Sequence, residues 1–153
     1  DHIDLVSLLQ QLCSDANFEG ASGNKQVTLA HSVPEAVVAS SGDLLRKSFE
    51  NILRNALGHT PDNSTVTVAL DQVGDRYRIC VADQGGGVAE SELEKIFEAF
   101  YRSDAARSRD TGGHGLGLAI ARRAIARHGG NVEAGNTATG LVVTITLPCL
   151  GND

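Results

Sequence analysis

The sequence predicts an α+β fold, one sheet covered on one face by helices. Three observations carry this. Strand-like alternation comes in pairs: STVTVALDQV with RYRICVAD, then NVEAGN with GLVVTITLP. Helix-period stripes separate the pairs, clearest in Leu45, Phe49, Ile52, Leu53 and Ala56. The 153 residues are 41% hydrophobic and 21% charged, the balance of a single globular domain with a real core.

Taken in order, Leu5, Leu8, Leu9, Leu12 and Ala16 predict a helix over 5–18, with Asp4 as its cap. EGASGN (19–24) breaks it. QVTLAHSV and EAVVAS read as two strands around Pro34. Ser41-Gly42-Asp43 opens a second helix that runs to about Gly58, ended by Gly58 and Pro61. STVTVALDQV and RYRICVAD form a hairpin around Gly74-Asp75. QGGGV is loop, and AESELEKIFEAF (89–100) is a short helix. Residues 101–114, YRSDAARSRDTGGH, are charged and nearly free of large aliphatics, the composition of a mobile surface loop. A helix over about 115–128 follows, ended by HGG. The final two strands flank a TATG turn, and Pro148 stops the last.

Asp plus Glu number 19 against 13 Lys plus Arg, a formal net charge of −6. That balance argues against general nucleic-acid or anionic-membrane binding. No apolar run approaches the ~18–20 residues of a membrane span, and no signal peptide is visible. The chain starts at Asp1 and contains no Met, so we expect it to be processed or cut from something longer. Cys13, Cys80 and Cys149 form no CxxC pair and are odd in number, which fits a reducing, cytosolic compartment, and Cys13 and Cys80 sit in apolar patterns as small core residues.

Three clusters can carry chemistry. Four of the six residues from Gly112 to Gly117 are glycine, directly before a helical run. Glycine is a poor helix former, but without a Cβ it lets a phosphate approach the unpaired N–H groups of a helix start. A flexible connector would use the same residues. No Lys follows to make a Walker A motif, and no strand precedes to make a dinucleotide fingerprint. In VADQGGGV (81–88), Asp83 ends an apolar strand beside three glycines. Its carboxylate can accept from a ligand amine or satisfy its own turn. In FENILRNALGHT (49–60), Asn51 and Asn55 share a helix face at i, i+4, at the edge of the apolar stripe. Their side-chain oxygens suit Mg²⁺, and equally suit solvent.

The order N-x-x-x-N-A, D-x-G-x-G, F-x-x-F and G-x-G-L-G-L resembles the nucleotide-binding domain of sensor histidine kinases, in the ATPase superfamily of gyrase, Hsp90 and MutL. The resemblance covers nearly the whole chain. Asn51 and Asn55 match the N box, and Asp83, Gly85 and Gly87 the first glycine box. Phe97 and Phe100 match the F box, Gly113, Gly115 and Gly117 the second glycine box, and Gly140 the last. The wording FYRSDAARSRDTGGHGLGLAI looks most like membrane-bound two-component kinases, including those that sense envelope stress.

The resemblance implies a two-layer α/β sandwich of the Bergerat type: a mixed, mostly antiparallel sheet of about five strands under three helices. It implies ATP and Mg²⁺ as ligands. Asp83 would bind the adenine amino group, and Asn55 would hold Mg²⁺ with Asn51 beside it. His59 would lie against the base. Residues 101–114 would be a mobile ATP lid, with Phe97 and Phe100 anchoring it or meeting the partner domain. Gly113, Gly115 and Gly117 would cradle the phosphates, and Leu116, Gly85 and Gly87 would also belong to the nucleotide-binding set. Residues 1–153 would be one catalytic domain, with 1–18 nearest a helical dimerisation domain that carries the acceptor histidine. A response regulator would be an indirect partner. The fragment would be monomeric and cytoplasmic, without membrane contact, the full-length protein being anchored in the bacterial inner membrane.

Hydrolytic members carry a Glu four positions before the metal-binding Asn, where it activates water. Here that position is Asn51, and Glu50 is rotated about 100° around the helix. This favours transfer to a protein nucleophile. The five histidines, His2, His31, His59, His114 and His128, are followed by Ile3, Ser32, Thr60, Gly115 and Gly129. None opens the family's H-[ED]-x-x-[TS] acceptor motif, so the chain alone is not expected to autophosphorylate. Two positions depart from the pattern. Gly58 stands where many members have Lys, so the phosphate cation is expected from Arg102 or Arg54. Gly86 occupies a variable slot, which predicts a looser lid hinge. Arg102, Arg107 and Arg109 with Arg122 and Arg123 form a basic cluster that contacts phosphates, an acidic partner or only solvent. An ATP hydrolase, a serine kinase of the same fold acting on a protein, and an interaction module without nucleotide are the competing readings.

Overall fold

Asp4 starts the first helix and ties it to the rest of the chain. Its Oδ1 accepts from Val6 N–H at 3.1 Å and from Ala36 N–H at 2.7 Å, and its Oδ2 accepts from Ser7 Oγ at 2.9 Å. Burial alone would raise its pKa. The hydrogen bonds from Ala36, Ser7 and Val6 outweigh that and hold it below the ordinary carboxylate value. The structure is a computed structural model that describes residues 1–40, 43–98 and 117–150. Helix α1 (Leu5–Gly20) follows Asp4, α2 spans Leu44–His59 and α3 spans Gly117–Arg127. The strands are β1 (His2–Asp4), β2 (Gln26–His31), β3 (Val37–Ala39), β4 (Thr65–Val73), β5 (Arg76–Ala82), β6 (Asn131–Asn136) and β7 (Leu141–Pro148).

Five strands form one sheet in the order β2-β4-β5-β7-β6, with β2 and β4 parallel and the other pairs antiparallel. Alternation along each strand decides the buried face. Val66, Val68 and Leu70, then Tyr77, Ile79 and Val81, then Leu141, Val143, Ile145 and Leu147 are all buried. The register sets Leu70 opposite Ile79 and Ile79 opposite Ile145, which stacks these side chains across the sheet. Helix α1 covers them with Leu5, Leu9 and Leu12, α2 with Leu45, Phe49 and Ile52, and α3 with Ala121 and Ile125. The expected α+β sandwich is therefore what forms, with three helices over the mixed sheet among the described residues. Asn17 of α1 closes the outer edge of β2: its Oδ1 accepts Val27 N–H at 2.7 Å and its Nδ2 donates to Val27 O at 2.8 Å. The edge groups of Val27 are thereby withheld from another strand.

Three elements differ from the sequence reading. The strand expected in 35–40 does not join the sheet. It pairs as β3 with β1, a strand the sequence did not announce. This ribbon is held by contacts distant in sequence: Leu150 N–H donates to Val37 O at 3.2 Å. Tyr77 lies beside the ribbon, where burial and then Cys149 raise its pKa against an opposing hydrogen bond from Val37. The helix expected over 89–100 is two 3-10 turns, Glu90–Glu92 and Lys95–Phe97. A segment this short is marginal as an α-helix, and neither turn has a side-chain cap. Helix α1 runs on to Gly20, two residues past the expected end.

Candidate functional site

Asp83 leaves the end of β5 and is 3% exposed. Its Oδ1 accepts two backbone N–H bonds, from Gly85 at 2.9 Å and from Leu141 at 3.2 Å. Its own N–H donates to Leu141 O at 3.0 Å. Among the described residues, no donor reaches Oδ2. A buried carboxylate oxygen without a partner is costly unless something else supplies the donor. Gly140 makes this geometry possible, because a Cβ there would collide with the Asp83 carbonyl oxygen and stand 2.7 Å from Oδ1.

The loop after Asp83 is bonded at nearly every step. Gln84 N–H donates to the Oγ1 of Thr60, a fully buried residue just past α2. Gln84 Oε1 accepts Thr65 N–H at 2.8 Å. Thr60 Oγ1 also lies 2.6 Å from Ser64 Oγ. A Cβ on Gly85 would strike the carbonyl oxygen of His59, so the end of α2 rests directly on the loop. Gly86 has φ +84° and donates to Thr139 O at 3.1 Å. Its left-handed backbone calls for glycine, which accounts for Gly86 in this slot.

Asn51 and Asn55 sit half-buried on α2, one turn apart. Neither side-chain amide has a hydrogen-bond partner among the described residues. A Cβ on Gly117 would lie 3.6 Å from Asn51 Cβ and 3.7 Å from its Cγ, so the start of α3 stands against the first asparagine. The structure thus brings the N box and Gly117 together on one side of α2. His59 and the first glycine loop meet at its C-terminal end. Arg102, Gly113, Gly115, Leu116 and Phe100, with the rest of 101–114, lie outside the described residues.

Two neighbours of the asparagines turn elsewhere. Arg54 is exposed and pairs with Glu19 of α1 at 3.6 Å and with Glu50 at 4.0 Å. Arg54 as a phosphate cation is therefore corrected, because it faces α1. Glu50 goes with it, away from the asparagine side. At Gly58 a Cβ would meet nothing within 4 Å, so this position is simply open. Phe97 is buried against α3, with the Arg122 guanidinium 4.5 Å from its ring centroid. Arg122 also pairs with Glu94 at 3.1 Å. Phe97 is thus core, not a surface for a partner domain, and Arg122 is committed to holding it there.

Sequence reasoning missed Thr60, Gln84 and Asn136. Thr60 had a signal, a hydroxyl just past a helix end and before Pro61. In the sequence Asn136 is only a strand end, and its two hydrogen bonds to Val88 depend on a contact 48 residues away.

A family model described as histidine kinase-, DNA gyrase B- and HSP90-like ATPase matches residues 40–150. The sensor protein VanS of Enterococcus faecium is 36% identical over 149 residues, 97% of this chain and 38% of VanS. The sensor protein PfeS of Pseudomonas aeruginosa is 44% identical over 143 residues, 94% of this chain and 31% of PfeS. The chain therefore spans well under half of these relatives. Among solved structures, the mycobacterial sensor histidine kinase MprB superposes with a TM-score of 0.87 at 26% identity, over 97% of this chain and 98% of that one. Among the described residues, no helix is long and apolar enough to cross a membrane.

Proposed function

We propose that this chain, which belongs to the histidine kinase-, DNA gyrase B- and HSP90-like ATPase family, binds Mg-ATP and donates its γ-phosphoryl group to a histidine on a separate helical dimerisation domain. It is the ATPase-type catalytic domain of a two-component histidine kinase. The observation that carries the nucleotide reading is the buried Oδ2 of Asp83, which no donor reaches among the described residues. A buried acceptor selects a ligand with an amine at that point, such as the adenine amino group.

The remaining residues fit the same ligand. The Asn55 amide oxygen, without a partner among the described residues, is of the kind Mg²⁺ takes, with Asn51 beside it. Gly113, Gly115, Leu116 and Gly117 would cradle phosphates at the start of α3, with Gly85 and Gly87 lining the base side. His59 would lie along the base, Arg102 would supply the cation, and 101–114 would close as a lid. Bound Mg-ATP would bring the transferable phosphoryl group. The chain's own part is to orient it and to exclude water. Asn51 cannot act as a base at neutral pH, and Glu50, paired to Arg54, faces the other way. Both features support transfer to a protein acceptor over hydrolysis. The acceptor domain, a response regulator downstream and a membrane anchor in the full-length protein complete the reading, with this fragment monomeric and cytoplasmic.

The test is calorimetric titration with ATP and Mg²⁺, followed by a transfer assay. We expect saturable binding, weakened and altered in Mg²⁺ dependence by Asn55→Ala. Labelling from radioactive ATP should need an added helical acceptor domain. Self-labelling of the chain alone would refute the assignment of the acceptor to another domain.

A further inference from the structure

Resting on the nucleotide reading above, we propose that Asn136 is a positioning residue whose side-chain amide holds the glycine loop 84–88 in its ligand-ready shape. The observation is a two-point clamp. Asn136 Oδ1 accepts Val88 N–H at 3.0 Å, and Asn136 Nδ2 donates to Val88 O at 2.7 Å. One side chain makes the pair of bonds that a neighbouring strand would make. Asn136 is exposed at the last residue of β6, where water could satisfy its amide equally well. Both ends of the amide are nevertheless committed to one backbone unit.

Gly87 completes the fit. It precedes Val88, has φ +72°, and a Cβ there would run into Asn136 Oδ1. The glycine leaves the space that the amide fills. The clamp also closes a frame. Gly140 and Leu141 hold Asp83 at one end of the loop, Thr139 O holds Gly86 in the middle, and Asn136 holds Val88 at the other end. The 137–140 turn is itself fixed, since Thr137 N–H donates to Gly140 O at 2.7 Å and Thr137 Oγ1 accepts Gly140 N–H at 3.0 Å. Loss of Asn136 frees the far end of the loop and leaves the bonds of Asp83 in place.

The experiment compares the wild-type chain with Asn136→Ala and Asn136→Asp. It reads amide exchange by NMR, and affinity for ATP with Mg²⁺ by calorimetry. In Asn136→Ala, Val88 should exchange about 10-fold faster or more, the affinity should fall about 5- to 10-fold, and Ile79 and Ile145 should keep their protection. Asn136→Asp keeps the acceptor and loses the donor, so Val88 should stay protected and the affinity loss should be smaller. A merely structural residue would speed exchange at Ile79 and Ile145 together with Val88, and that outcome, or unfolding, counts against the proposal. Unchanged Val88 exchange in Asn136→Ala would show that no clamp forms. If the wild type binds ATP and both variants bind within about twofold, the positioning role is overturned and the nucleotide reading stands. If the wild type binds no nucleotide, that reading falls and the proposal falls with it.

Discussion

Asp83→Asn reverses one hydrogen-bonding atom and leaves the shape of the site unchanged. The asparagine oxygen can take the place of Oδ1 and keep the N–H bonds from Gly85 and Leu141. An NH₂ group then replaces Oδ2, so an acceptor becomes a donor. In the fold, two charge-assisted bonds of about 1.5–3 kcal/mol become neutral ones of about 0.5–1.5 kcal/mol. Relief from burying a carboxylate that is only 3% exposed offsets part of that loss. The expected net destabilisation is about 1–2 kcal/mol, small enough to leave the chain folded. At the ligand the effect is larger. A donor facing the ligand amine loses one buried bond and leaves two unpaired donors, about 3 kcal/mol or roughly 100-fold in Kd. Calorimetric titration with ATP and Mg²⁺, with a thermal melt to confirm folding, measures both terms. A folded variant that binds ATP within about threefold of wild type would refute the argument, because Oδ2 would then not be the ligand's acceptor.

Other substitutions test the frame. Gly58→Ala should stabilise by about 0.5–1 kcal/mol, since a Cβ there meets nothing and the residue lies inside α2; an unchanged or lower Tm would refute it. Phe49→Ala, at 1% exposure, should cost about 3–5 kcal/mol by urea denaturation. Asp4 has a folded pKa below its unfolded value, so its contribution is present above the unfolded pKa and lost as pH falls through the folded one. Asp4→Ala should cost about 1–2 kcal/mol at pH 7, with the difference from wild type shrinking in acid. Burial pushes the Cys13 thiol up to about 11. At pH 8 about a thousandth of it is thiolate, so alkylation should reach Cys80 and Cys149 well before Cys13.

Much of the candidate site was legible because its residue types sit in short runs. Asp83 with its glycines, and Asn51 with Asn55, are local patterns on one strand end and one helix face. Local geometry fixes their relation to the backbone. Partnership was not legible in the same way. Arg54 and Glu50 lie as close in sequence to the asparagines as any residue, yet Glu19 on another helix draws Arg54 toward α1. Phe97 carries a family-like spacing, and its burial under Arg122 depends on where α3 lands.

The sequence by itself determined the layers, the succession of the long helices and of the five sheet strands, and the residue types at the candidate nucleotide loop. Apolar period and turn chemistry are local properties, and here they agree along most of the chain. The tertiary structure alone decided that β3 leaves the sheet to pair with β1. It also decided that Gly140 backs Asp83 and that Asn136 clamps Val88. Each of these joins residues more than 30 positions apart. Such contacts are set by which buried surfaces pack together, and no window of sequence carries that information.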